Sequence, residues 1–97
     1  MKSHNRPRAA HVVRPLEPGP GIVRVDGAAK RVWYLLRERD RCAATGCRVF
    51  ALARLGATFA YTVCAPPFMS CECPGWLGHG RCVHTGLILA LLQAKKI

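Results

Sequence analysis

Hydrophobic and polar positions alternate in the first half of the chain in a way that is typical of strands. Residues 22–25 (Ile-Val-Arg-Val) and 32–36 (Val-Trp-Tyr-Leu-Leu) are branched and aromatic runs, and each predicts a strand. The first run ends at Asp26-Gly27, a dipeptide that favours a tight turn. The charged run 37–41 that follows the second strand predicts a solvated hairpin end or loop.

A second pair of strands is predicted further along. Residues 49–55 are compatible with strand or helix, and strand is favoured because a glycine follows at once. Residues 58–63 alternate with a period of two, which would place Phe59, Tyr61 and Val63 on one face. The two runs therefore predict a β-hairpin.

The last fifteen residues predict a helix. Apolar side chains there follow the 3.6-residue period, and two lysines lie where cations favour the negative end of a helix. The two periodic sets are Leu87, Leu91 and Ala94, and His84, Ile88 and Leu92. We predict a helix over residues 83–96.

The N-terminal residues 1–20 have a different composition. They hold four of the seven prolines and four of the fifteen basic residues. Such a segment gains too little apolar burial to offset its ordering entropy, so we predict a flexible basic tail ahead of one folded domain, residues 21–97. The tail could be a solvated leader or an arm that contacts nucleic acid.

Length and charge narrow the function classes. Ninety-seven residues allow one small core, and the formal net charge is +10. The longest apolar run has six residues, far below the roughly 20 that span a bilayer. The N-terminus lacks the apolar stretch of a secretory signal, so we expect a cytoplasmic protein with no membrane partner and no small-molecule substrate. In a reducing compartment, six cysteines favour metal binding over disulfides.

Three thiols and one imidazole lie within fourteen residues. Cys71 and Cys73 form one i, i+2 pair, and Cys82 and His84 form another around a glycine-rich loop. Side chains at i and i+2 of an extended segment project to the same side, and three Cys with one His is a common structural zinc set. The sequence therefore predicts a Zn²⁺ site with Cys71, Cys73, Cys82 and His84 as ligands.

This pattern resembles the SWIM zinc finger, whose ligands are Cys-x-Cys and Cys-x-His followed by an apolar helix. Pro74 and Trp76 after the second cysteine and Arg81 before the third agree with the resemblance, which covers about residues 49–94. Val83 departs from it, because a basic residue is usual between the third cysteine and the histidine. The resemblance implies zinc held by the same four residues, and a module that binds DNA or a protein partner.

Several alternatives remain open at this point. The four residues could be ordinary core or loop residues without a metal, and His79 could replace His84 as the fourth ligand. Cys42, Cys47 and Cys64 are predicted to be buried or paired in a loop rather than to form a second zinc site. Glu72, between two ligands, is expected to be a surface charge that points away from the metal.

The fold class predicted from these elements is α+β: a small antiparallel sheet of hairpins, a zinc loop and a C-terminal helix, preceded by a disordered tail. Four protein ligands leave no open position for an activated water, and no other catalytic set is visible, so we expect no enzyme activity.

Two binding functions are compatible with this fold. The first is nucleic-acid binding, with DNA as the favoured ligand, which would place the protein at the nucleoid or in the nucleus. The second is a protein adaptor that uses an uncovered face of the last helix, such as Leu89 with Leu92. Candidate nucleic-acid contacts are Lys30, Arg31, Arg37, Arg39, Arg41 and Arg81, with Arg6, Arg8 and Arg14 on the tail.

Overall fold

The computed structural model describes residues 9–16, 20–26 and 30–97 of the chain. Six strands are followed by two helices. The strands are β1 (Ala9–Arg14), β2 (Gly21–Asp26), β3 (Arg31–Arg39), β4 (Val49–Arg54), β5 (Tyr61–Cys64) and β6 (Ser70–Cys71), and the helices are α1 (Pro74–His79) and α2 (Val83–Gln93).

The strands form one sheet in the order β1-β2-β3-β4-β5-β6, and every neighbouring pair is antiparallel. This confirms the predicted α+β class and the β4–β5 hairpin. The predicted turn at Asp26-Gly27 extends beyond the described residues. Gly46, in the loop between β3 and β4, has φ 73°, a value that favours glycine.

The two faces of the sheet differ in burial. On β2, burial alternates strictly, with Val23 and Val25 buried and the residues between them half-buried. On β3, Tyr34 and Leu36 are buried on the same side. We call this buried side the inner face and the opposite side the outer face.

Helix α2 supplies the other half of the core. Leu87, Ile88 and Leu91 are at most 1% exposed and pack with Phe50 and Val63 of the inner face. Burying each such side chain contributes about 1.5–3 kcal/mol. The predicted helix is confirmed, although it ends at Gln93 rather than at residue 96.

The sheet curls around this helix. α2 contacts β1 at one edge of the sheet and β5 and β6 at the other. Beyond the helix, Lys96 Nζ donates to the carbonyl oxygen of Ala10 in β1 at 3.3 Å. The inner face is therefore concave and the outer face convex.

The structure differs from the predicted tail at residues 9–14, which form strand β1 against β2. Ala10 and Val12 pack against the core from this strand. The surrounding prolines and arginines favoured a disordered segment in the sequence-based prediction. Pairing with β2, which stabilises this strand, depends on distant residues and cannot be read from local composition. Residues 1–8 and 17–19 of the predicted tail, with Arg6 and Arg8, lie outside the described residues.

The predicted loop at residues 37–41 is also partly wrong, because β3 continues through Arg39. Its last three residues pair with Ala51, Phe50 and Val49 of β4. Glu38 accepts two hydrogen bonds of 2.8 Å from the Arg48 guanidinium. These bonds hold the pKa of Glu38 below its usual value, so the carboxylate stays charged at the end of the strand.

Strand β5 is shorter than the predicted run. It begins at Tyr61, and Phe59 lies before it, 59% exposed and edge-on to the Tyr61 ring. Alternation had placed Phe59 in the strand, but the β4–β5 pairing ends at Leu52 with Tyr61, so the ladder does not reach it.

Candidate metal centre

Four side chains from three elements meet beside the last strand. Cys71 ends β6, Cys73 directly precedes α1, Cys82 directly precedes α2, and His84 lies in the first turn of α2. Their candidate ligand atoms all lie within 4.8 Å of one another. The three thiols are buried and the imidazole is half-buried. This cluster, which we call the Cys3His cluster, could hold a metal ion.

A short helix, rather than the predicted loop, links the two halves of the cluster. Pro74 opens α1, where its missing N–H costs nothing, and Cys73 before it is extended. Gly80 ends the helix in a left-handed conformation with φ 71°, and its N–H bonds to the Trp76 carbonyl oxygen. The helix reverses the chain, so that Cys82 returns to Cys73.

Helix α2 begins within the cluster. Cys82 is its N-cap, and the Cys82 Sγ accepts a hydrogen bond from the Thr85 N–H at 3.4 Å. The Thr85 hydroxyl donates to the Cys82 carbonyl oxygen at 3.0 Å. A thiol thus takes the place of the usual Ser, Thr or Asp cap, and the start of the helix depends on the cluster.

The measured spacing fits a four-coordinate ion. With metal–sulfur bonds of about 2.3 Å and metal–nitrogen bonds of about 2.0–2.1 Å, tetrahedral geometry separates a sulfur and a nitrogen ligand by roughly 3.6 Å. The Cys71 Sγ lies 3.8 Å from the His84 Nδ1. The donors need only small movements to close around one ion.

The thiols of the cluster differ in acidity. Burial raises the pKa of Cys71 to about 12, with neighbouring Cys73 and Cys82 among the further causes. Burial also acts to raise the pKa of Cys82, but the hydrogen bonds from Thr85 and those with Cys73 and Cys71 together lower that pKa. Cys82 therefore ionises more readily than Cys71, and a bound divalent cation would favour the thiolate form of its ligands.

His84 is fixed between two aromatic rings. Its imidazole lies 4.9 Å from the Tyr61 ring and 6.2 Å, edge-on, from the Tyr34 ring, measured between centroids. Burial lowers the pKa of His84, which favours the neutral imidazole that a metal binds. Both tyrosines come from the inner face, so the sheet orients this ligand.

Glu72 has a structural role that the sequence reasoning missed. Its Oε1 accepts a hydrogen bond from the Thr62 backbone N–H at 2.8 Å. β6 ends at Cys71, so this carboxylate supplies an acceptor beside β5 where the ladder stops. Glu72 thereby ties the Cys71–Cys73 segment to the sheet.

His79, the alternative fourth ligand, is exposed at the end of α1 and does not belong to the Cys3His cluster. We expect His84→Ala to weaken metal binding by at least about tenfold, since it removes one of four ligands, whereas His79→Ala should leave it unchanged. Competition titration with a chromophoric chelator measures both. Full affinity in the His84 variant would reject this ligand assignment.

The other three cysteines lie outside the cluster. Cys47 is buried, and Cys42 and Cys64 are half-buried. Within the described residues, the Cys3His cluster is the one group of three or more candidate ligand side chains. Hydrogen bonds from Thr45 lower the pKa of Cys42.

The predicted nucleic-acid contacts are distributed over several surfaces. Arg31, Arg37 and Arg39 occupy outer-face positions of β3. Arg41 donates to the Gly46 carbonyl oxygen at 2.9 Å in the following loop. The remaining described candidates are exposed Lys30 before β3, exposed Arg81 between the helices, and Arg14, which donates to the Pro20 carbonyl oxygen at 3.0 Å.

The predicted docking patch on α2 is only partly accessible. Leu89 and Leu92 are half-buried and line a groove of about 520 Å³ together with Pro66 and Pro67. The other large apolar side chains of the helix interior, those of Leu87, Ile88 and Leu91, are in the core.

No protein-family model, curated protein or solved structure matches the chain. The class of protein is therefore defined by its own fold and site: a small α+β protein whose Cys3His cluster could hold a metal ion. In the part of the chain that the structure describes, no helix has the length and apolar character needed to cross a bilayer.

Proposed function

We propose that this protein is a SWIM-type zinc module in which the ion is structural, and that the module binds nucleic acid. The observation that supports zinc is the convergence of four donor atoms within 4.8 Å, three of them buried thiols. Thiolate-rich four-ligand sets suit Zn²⁺, and four protein ligands leave no open position for substrate or water. The module is accordingly proposed to be a binding protein and not an enzyme.

The residues of the cluster explain what such an ion would do. They join the end of the sheet, helix α1 and the start of helix α2. Binding one ion at this point would fix α2 against the inner face. Metal binding and folding would then be coupled, as in other small zinc domains.

Nucleic-acid binding is supported by the charge distribution. The chain has fifteen basic and five acidic residues. Eleven of the fifteen are arginine, which pairs well with phosphate. On the outer face, Arg31, Arg37 and Arg39 follow one another along a single strand. Such a protein would act in the cytoplasm, at the nucleoid or in the nucleus.

The alternative, a protein adaptor that uses helix α2, has less support. Leu87, Ile88 and Leu91 are fully buried under the sheet, which leaves only half-buried Leu89 and Leu92 for a partner.

Two measurements on the purified full-length chain test this function. Native mass spectrometry with and without chelator should detect one zinc ion per chain. Anisotropy titrations with labelled oligonucleotides should show affinity that falls with salt, with a log–log slope of about −3 if four phosphates are contacted. If the purified chain contained no zinc, the metal assignment would be rejected. If no oligonucleotide bound at about 0.1 M salt, the nucleic-acid assignment would be rejected.

A further inference from the structure

We propose that the outer face of strands β2, β3 and β4 is a stacking platform for single-stranded nucleic acid, with Trp33 as the side chain on which a base stacks. This inference rests on the proposed nucleic-acid function and specifies its ligand class and its surface.

Trp33 occupies an unusual position for a large aromatic side chain. It lies on the outer face, directly opposite Arg24 of β2, and is outside the hydrophobic core. Its flank toward β4 is formed by Leu55, which is 55% exposed and donates its N–H to the Trp33 carbonyl oxygen. Helix α2 packs on the inner face and α1 contacts β6, so neither lies over the indole, which is half-buried.

An apolar strip extends this surface across three strands. Ile22 of β2 pairs with Leu35 of β3, and Leu35 pairs in turn with Ala53 of β4. All three are half-buried outer-face residues. Trp33 lies one outer-face position from Leu35, about 7 Å along the strand, so the indole and the strip form one surface.

Arginines lie at both ends of this apolar surface. Along β3, Arg31 precedes Trp33, and Arg37 and Arg39 follow Leu35 on the same face. Arg37 and Arg39 pair with the short side chains of Ala51 and Val49, and neither forms an ion pair within the described part of the chain. Their guanidinium groups are therefore available to phosphates.

The acidic residue on this part of the face does not cancel the positive charge. Asp26, the acidic outer-face residue of β2 and β3, lies within 3.5 Å of three basic side chains, those of His11, Arg24 and Arg31. Counting Arg24, Arg31, Arg37 and Arg39 against Asp26 leaves a formal charge of +3 on the face. The charge is complementary to a phosphate backbone.

The shape of the face favours a single strand over a duplex. Six strands spaced about 4.8 Å apart span roughly 24 Å. A convex surface of that width cannot enter a major groove about 12 Å wide. Unpaired bases, in contrast, can lie flat on aromatic and apolar side chains while arginines contact the backbone. DNA and RNA share this chemistry.

The test compares labelled single strands of DNA and RNA with the DNA duplex of the same sequence, in about 0.1 M salt. We expect single strands to bind at least about tenfold more tightly than duplex. Trp33→Leu should weaken single-strand binding by about tenfold, and the matched control Phe68→Leu, at an aromatic 62% exposed outside the sheet, should not. Arg37→Gln with Arg39→Gln should reduce the salt slope by about 1.4, unlike Arg54→Gln.

A second readout does not depend on how well the Trp33 variant folds. In the Trp76→Phe protein, Trp33 is the remaining tryptophan, and stacking on a base should quench its fluorescence on saturation with a single strand. Equal affinity for duplex and single strand together with unquenched Trp33 fluorescence would overturn the stacking platform while leaving nucleic-acid binding in place. Absence of binding to every oligonucleotide would overturn both. Comparing the affinities for single-stranded DNA and single-stranded RNA shows which of the two the surface prefers.

Discussion

Replacing Cys82 with alanine is expected to remove both the metal ion and the cooperative unfolding transition. Cys82 is a candidate ligand and also the N-cap of α2, where its Sγ accepts the Thr85 N–H. A core of this size contributes only ~3–5 kcal/mol, against apparent binding free energies of ~10–16 kcal/mol for structural zinc in small domains. The free energy lost with the ion is therefore larger than the stabilisation that the core between the sheet and α2 provides.

Circular dichroism during heating, together with native mass spectrometry, measures both losses. Cys47→Ala is the matched control, since Cys47 is also buried but lies outside the Cys3His cluster. The control should keep one ion and a cooperative transition, with at most a modest loss from its small cavity. If the Cys82 variant unfolded cooperatively within a few degrees of the wild type, the fold would not depend on the metal.

The Cys3His cluster could be predicted because its members are close in sequence. Each i, i+2 pair is local, and the two pairs are joined by fewer than ten residues, so spacing alone restricts where the donors can lie. The linker itself was not predicted correctly. Gly75 and Gly78 lower helix propensity and favour a loop, whereas Pro74 at the first position and a left-handed Gly80 stabilise the ends of α1.

The extent of the sheet was harder to predict, because it depends on contacts between distant residues. β1 is stabilised by pairing with β2 and by Lys96, eighty-six residues away from Ala10. The end of β3 is charged and becomes a strand only because β4 offers it a partner and Arg48 binds Glu38. Neither the pairing of β1 nor that of the end of β3 can be predicted from local composition. The arrangement of Tyr34 and Tyr61 around His84 likewise appears only once the strands are in register.

Phe50→Ala is expected to lower the free energy of unfolding by about 3–5 kcal/mol, the usual cost of deleting a buried aromatic ring. Phe50 is fully buried, pairs with Glu38 on one side and Val63 on the other, and lies beneath α2. Arg48, 5.0 Å from the ring centroid, covers it at the edge of the core. The cavity would thus open between the sheet and the helix that begins in the metal cluster.

Urea unfolding at a fixed free zinc concentration measures this effect without a contribution from changing metal occupancy. Phe59→Ala is the control, because that ring is exposed and contacts Tyr61 alone among aromatic side chains of the described residues. Its cost should stay below about 1.5 kcal/mol, the upper value for a single aromatic pair. Similar losses in the two variants would mean that the inner face is not the core that positions α2. A large loss for Phe50→Ala alone, with the ion still bound, would mean that the metal and the core stabilise the same helix through separate contacts.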